Sequence, residues 1–201
     1  MKKMKKMKNM KKITVLLLCV CVLLGARGAE SAEPSRMDNE LLNHADQVLV
    51  HLKNRDFGQL ALFVHKDKGV VFSPYAFVEE NAVKFTAAQI KELELAEEFT
   101  WGVYDGSGEP IELSVEGYFN RFVFGQDFIN APQRGVNELV KTGNTSSNLD
   151  IVFPGAGFVE YHFPGFDPQY EGMDWVSLRL VFEKVDDMWM LVGVVHDCWT
   201  I

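Results

Sequence analysis

Two strand-length runs close the chain, WVSLRLVFEK (175–184) and MWMLVGVVHDCW (188–199), with only Val185, Asp186 and Asp187 between them. Long runs rich in β-branched and aromatic residues, joined by so short an acidic turn, are best satisfied as an antiparallel hairpin. A lone hairpin is marginal in water, so further strands or a helical layer must cover its apolar face. This requirement governs how the rest of the chain is read.

More strand-like segments lie just upstream, GFVEYHFPG (157–165) and VNELVK (136–141), set apart by turn-rich stretches such as GNTSSN (143–148). The first half has a different rhythm. Leu41, Leu42, Ala45, Val48, Leu49 and Leu52 recur at helical spacing, predicting a helix from Asp38 to about Asn54 with Asp38 accepting its first free amides. RDFGQLALFVH (55–65) reads as a shorter helix capped by Asp56, TAAQ (86–89) has capping-box spacing, and Ser114 opens another short helix. KGVVFSPYAFV (68–78) and FTWGVY (99–104) read as extended, with Pro74 marking an edge or bend and DGSGEP (105–110) a turn. Helices gathered early and strands gathered late define an α+β domain over residues 38–201, with N-terminal helices packed on a curved antiparallel sheet.

This order of elements resembles the nuclear transport factor 2-like, cystatin-like α+β superfamily. That resemblance implies a cone with a pocket between helices and sheet, in which enzymes of the superfamily often place a carboxylate or histidine base. The phrases HKDKGVVFSPYAFV, FTWGVYDGSGEPIEL and FVEYHFPGFDPQYEGMDWVSLRLVFE look more narrowly like an exported bacterial family.

Strand phasing then selects candidate residues, because residues opposite one another in antiparallel strands share a face. With Asp186 and Asp187 at the tip, Val185 faces Met188 and Phe182 faces Leu191. An unbroken register continues to Leu178 with Val195 and Val176 with Asp197, while Val181, Arg179 and Ser177 meet Val192, Val194 and His196. Asp197 becomes a lone inward acid beside Tyr161 and Trp199, with its ionised form disfavoured by desolvation. Asp197 as acid or base and Tyr161 as hydrogen-bond donor are the catalytic candidates. Tyr161, Trp199, Trp101, Tyr104 and Trp175 are candidates to line a pocket for a small apolar ligand. A bulge near the turn would bring His196 inward instead.

On the outward face, Glu160 pairs naturally with Arg179, near His162, Ser177 and His196. Val181, Val192 and Val194 beside them call for cover by a loop or by a second copy, making a homodimer through the sheet a candidate interface. His196 and Cys198 lie roughly 6.5 to 7 Å apart along a strand, too far to act as base and nucleophile.

The first residues bear on location. MKKMKKMKNMKK followed by the apolar run Ile13 to Leu24 has the layout of a secretory signal, with Ala26 and Gly28 favouring cleavage after Gly28 and residues 29–37 as a flexible lead-in. An uncleaved signal anchor is the alternative. Residues 1–28 hold seven lysines and Arg27 but no acid, so cleavage leaves 12 basic against 28 acidic residues, a net charge near −16. Such a surface disfavours nucleic acid and anionic membrane partners. Two of the three cysteines leave with the signal, and Cys198 alone cannot form an internal disulfide.

FPGFDPQYEGMDW (163–175) is dense in turn residues and reads first as a stiff connection and second as a pocket rim. Asp167, Glu171 and Asp174 are oxygen donors, yet they lack the spacing of a calcium loop. His65 suits the negative end of the preceding helix. No sequence pattern calls for a cofactor or metal. The expected function is that of a non-catalytic exported domain binding a small molecule or a protein partner. The alternatives are a cofactor-free isomerase, dehydratase or hydrolase using a pocket carboxylate, and an envelope interaction module working through the outer sheet face.

Overall fold

Leu41, Ala45, Val48, Leu49 and Leu52 are all fully buried on one stripe of helix α1, Arg36–Asn54. The computed structural model describes residues 36–200, so the expected leader and its expected cleavage site lie outside the described residues. The helix starts two residues before the expected Asp38. Asp38 therefore sits inside the first turn, where the helix dipole favours an acid, and it accepts from Asn137 Nδ2 at 3.2 Å. Arg36 and Met37, expected in the flexible lead-in, are helical.

The other capping expectations hold. Asp56 caps α2 (Phe57–Leu60), Thr86 and Gln89 form a complete capping box on α3 (Ala87–Lys91), and Ser114 caps α4 (Val115–Tyr118). A turn of π-helix, Phe119–Val123, continues α4. His65 does not act as a helix-end cation. Its Nδ1 accepts from the amides of Asp67 and Lys68 at 3.2 and 3.1 Å and so closes a turn.

The main sheet has six strands in the order β2-β1-β8-β7-β6-β5. They are β1 (Val70–Ser73), β2 (Val83–Phe85), β5 (Gln133–Val136), β6 (Gly157–Phe163), β7 (Val176–Val185) and β8 (Met188–Cys198). A separate hairpin joins β3 (Glu98–Val103) to β4 (Pro110–Ser114). The α+β class and the helices packed on a large curved sheet are as expected, with one difference: β1 runs parallel to β8. VNELVK is strand only at its first residue, since β5 ends at Val136 and Asn137 turns with positive φ.

The closing hairpin begins in the expected register, Val185 opposite Met188 and Phe182 opposite Leu191. The register then shifts by one, with Val181 opposite Gly193, leaving Val192 as the extra residue of a β-bulge. Beyond it the pairs are Arg179 with Val195, Leu178 with His196, Ser177 with Asp197 and Val176 with Cys198. Because side chains alternate faces, one extra residue exchanges the faces of everything downstream. Asp197 therefore leaves the inner face and His196 takes its place. Val194, expected outside, packs in the main core. A Cβ on Gly193 would stand 3.1 Å from the Phe153 ring, so bare backbone lets that ring seat against the strand.

The inner face carries Phe72, Leu178, Leu180, Phe182 and Val194, closed by α1 and by the aromatic group Phe85, Trp101, Tyr118, Phe119 and Phe122. Trp101 stacks on Tyr118 at 3.8 Å and its Nε1 donates to the Leu113 carbonyl at 2.9 Å. On the second face Val181, Val192 and Val195 pack with Val78, Leu149 and Phe153. Leu149 belongs to α5 (Leu149–Val152), so the chain itself covers the valines expected to meet a partner there.

Candidate functional site

The expected Glu160–Arg179 pair forms, with Arg179 Nε donating to Glu160 Oε2 at 3.0 Å, but it is wholly buried and not a surface patch. Arg179 Nη2 donates to Asp197 Oδ2 at 2.7 Å and to the Lys141 carbonyl at 3.0 Å. Ser177 Oγ donates to Glu160 Oε1 at 2.6 Å, which leaves His162 Nδ1–H to donate to Ser177 Oγ at 2.8 Å. Burial pushes the Asp197 carboxyl up to about 6, the Glu160 charge adds to this, and Arg179 only partly offsets both. Two carboxylates sharing one guanidinium out of water form a structural lock, since neither is open to a substrate.

Asp197 and Tyr161 are thus on opposite faces and cannot act together. Tyr161 faces Leu178 inside the core, and its hydroxyl donates to Asp46 Oδ1 of α1 at 2.8 Å. Burial and the Asp46 charge raise the Tyr161 pKa far above its ordinary value. The remaining candidates divide between two clefts, neither of which Tyr161 lines.

The first cleft lies where β7 begins and β8 ends, with a volume of about 360 Å³. Trp175 and Trp199 line it, joined by Arg121 of the π-turn, Phe166, Met173, His196 and Cys198. Phe166, Met173 and Trp199 are 50%, 47% and 41% exposed. Trp175 is buried, and the loop before it is held by Asp174 Oδ2, which accepts from the amides of Phe166 and Asp167 at 3.0 and 2.8 Å. Asp167 in turn caps the short 3₁₀ turn Pro168–Tyr170, and Glu171 takes a left-handed conformation. FPGFDPQYEGMDW is therefore a stiff connection that also rims a cleft, and two of its three acids hold backbone amides. Of its aromatic rings Trp175 folds in and Phe166 stacks on Phe163, while Tyr170 stays half-exposed.

Sequence reasoning put His196 on the outward face and brought it inward only as the consequence of a bulge, and it is the cleft's most informative group. Its Nδ1–H donates to the Pro74 carbonyl at 2.9 Å, and burial drives its pKa down to about 4. The ring is a neutral Nδ1–H tautomer, and the bond to Pro74 is its one hydrogen bond among the described residues, which leaves the Nε2 lone pair unengaged. Burial also pushes the neighbouring Cys198 thiol up to about 11. Trp175 Nε1 and Asp174 Oδ1 are buried without partners.

The second cleft, about 370 Å³, lies between the segment after β1 and the β3–β4 hairpin. It holds the other two candidates, Trp101 and Tyr104, together with Tyr75 and Phe77. Arg121 joins the two clefts: its guanidinium lies 4.7 Å from the Tyr104 ring centroid and donates to the Tyr104 hydroxyl at 3.2 Å.

No family model matches the chain, and no curated protein sequence does. Among solved structures the chain is similar to a Xanthomonas campestris protein described as a calcium/calmodulin-dependent protein kinase II association domain. The identity is 14% over 81% of this chain and 86% of that one, with a TM-score of 0.32. A likeness this distant transfers no site residue. Among the described residues no group of three or more His, Cys, Asp or Glu is gathered as a metal site would require, and no helix is long and apolar enough to cross a membrane.

Proposed function

We propose that the protein is an exported, non-catalytic binding domain that holds a small, largely apolar molecule in the cleft at the end of β7 and β8. One observation carries the reading: His196, whose Nε2 makes no hydrogen bond among the described residues, lines the same cleft as half-exposed Phe166, Met173 and Trp199. Partly exposed apolar walls with a few fixed polar groups, among them His196, Arg121 and Asp174, suit a ligand with a hydroxyl or N–H on a hydrocarbon body. The unpartnered Trp175 Nε1 adds a donor in the same wall. The nearby groups favour binding over chemistry. Cys198 is held as a thiol, His196 is a weak base at about 4, and Asp197 is locked to Arg179 on the other face. Export rests on the basic leader and apolar run at residues 1–24.

Titration with 1-naphthol, followed by tryptophan fluorescence, tests this reading. Saturable binding is expected, weakened by about tenfold or more in Met173→Asp, because a charge in the cleft wall must be desolvated by the ring. Met173 is half-exposed, so the fold is retained. Equal affinity in the variant contradicts the assignment.

A further inference from the structure

The second cleft differs from the first in its chemistry. Four aromatic residues, Tyr75, Phe77, Trp101 and Tyr104, line it together with two carboxylates, Glu79 and Asp105, and no Lys, Arg or His is among its lining residues. Both charged lining residues are acids, and the neighbouring Arg121 is engaged with Tyr104, so the cavity disfavours anions and suits one ligand class. Carboxylates attract a cation directly, and ring faces add cation–π attraction that strengthens where water is excluded. We infer that this cavity is a second binding site, for an organic cation: an ammonium group on an apolar or aromatic body.

The cavity's size and floor agree with that class. Its volume of about 370 Å³ falls at the lower end for small-molecule sites, which fits a compact amine. Gly102 leaves the floor bare: it has φ +132°, and a Cβ there would stand 3.5 Å from Pro74 Cγ, between the two walls. The Tyr104 ring is taken up by Arg121, so the exposed Phe77 ring and the half-buried Tyr75 ring are the ones that remain for a ligand. Tyr75 fixes the rim, its hydroxyl accepting from the Asp105 amide at 3.2 Å, which ties the acidic hairpin turn to the segment after β1. The strongly acidic chain also steers cations toward it.

The two clefts share no lining residue, so this site stands or falls apart from the reading at His196. The test compares 2-phenylethylammonium with 2-phenylethanol, which share the phenylethyl body and differ in charge, by isothermal titration calorimetry on the full protein. The ammonium is expected to bind about tenfold more tightly or better. The double variant Glu79→Gln with Asp105→Asn should erase that preference, and Met173→Asp at the other cleft should leave it intact. Glu79 and Asp105 are both exposed, so the double variant keeps its fold, as an unchanged melting temperature will register. Equal affinity for the two probes, absence of binding, a preference that survives the double variant, or one removed by Met173→Asp would each overturn the assignment.

Discussion

The two faces of the central sheet solve burial in different ways. The inner face is closed by hydrocarbon and stacked rings, from Phe72 to Trp101 and Tyr118. The second face mixes valines with a buried ionic chain running from His162 through Ser177, Glu160 and Arg179 to Asp197. The contrast shows where specificity is stored. Apolar packing tolerates many arrangements, whereas a buried guanidinium with two carboxylates accepts only one strand register, the bulged one. The lock on one face thereby sets which residue, His196, reaches the cleft on the other.

The largest expected effects probe the cost of opening either face. Arg179→Ala strands Glu160 and Asp197 without their cation and should destabilise by about 3–5 kcal/mol, read from urea unfolding. Replacing Arg179, Glu160 and Asp197 together with apolar residues of similar volume should restore most of that loss, because no uncompensated charge remains. If the single variant loses less than the triple, the lock does not exist.

A smaller effect separates the faces by pH. The native Asp197 carboxyl lies near 6, above its ordinary 3.8, so its contribution is fully present below about 3.8 and is lost as pH rises through about 6. The native His196 imidazole lies near 4, below its ordinary 6.5, so its contribution is present above about 6.5 and is lost as pH falls through about 4. Each is worth up to about 3 kcal/mol over its window. The two slopes oppose one another, so the unfolding free energy should vary little from these groups between pH 4 and 6.5. Asp197→Asn should expose a stability that falls toward acid. His196→Gln should expose one that falls toward neutrality. Parallel profiles in the two variants would dissolve the contrast between the faces.

Much of the scaffold was legible in the sequence. Helical periodicity located α1, and the caps at Asp56, Thr86 and Ser114 fixed three helix starts because each uses a side-chain oxygen with a unique local partner. Glu160 with Arg179 followed from alternation within β6 and β7 alone. The hairpin register was legible only as far as Leu191. From Leu191 to Val195 every residue but Gly193 is aliphatic, and both faces of the sheet are buried there, so alternation gives no signal of phase. Gly193 was the available clue, since a lone glycine within a strand pattern often marks a bulge. The cleft at His196 was lost with the register. The division of the aromatic candidates between two clefts depends on tertiary placement of the 74–82 segment and the β3–β4 hairpin, which no local pattern encodes.

The central claim, that the Val192 bulge turns His196 and not Asp197 toward the cleft, is tested most directly by long-range proton–nitrogen NMR of the histidine rings across a pH titration. A buried ring donating from Nδ1 to Pro74 should appear as the Nδ1–H tautomer and stay neutral until pH falls to about 4. An Nε2–H tautomer for His196, or protonation near the ordinary 6.5 of an exposed imidazole, would contradict the account.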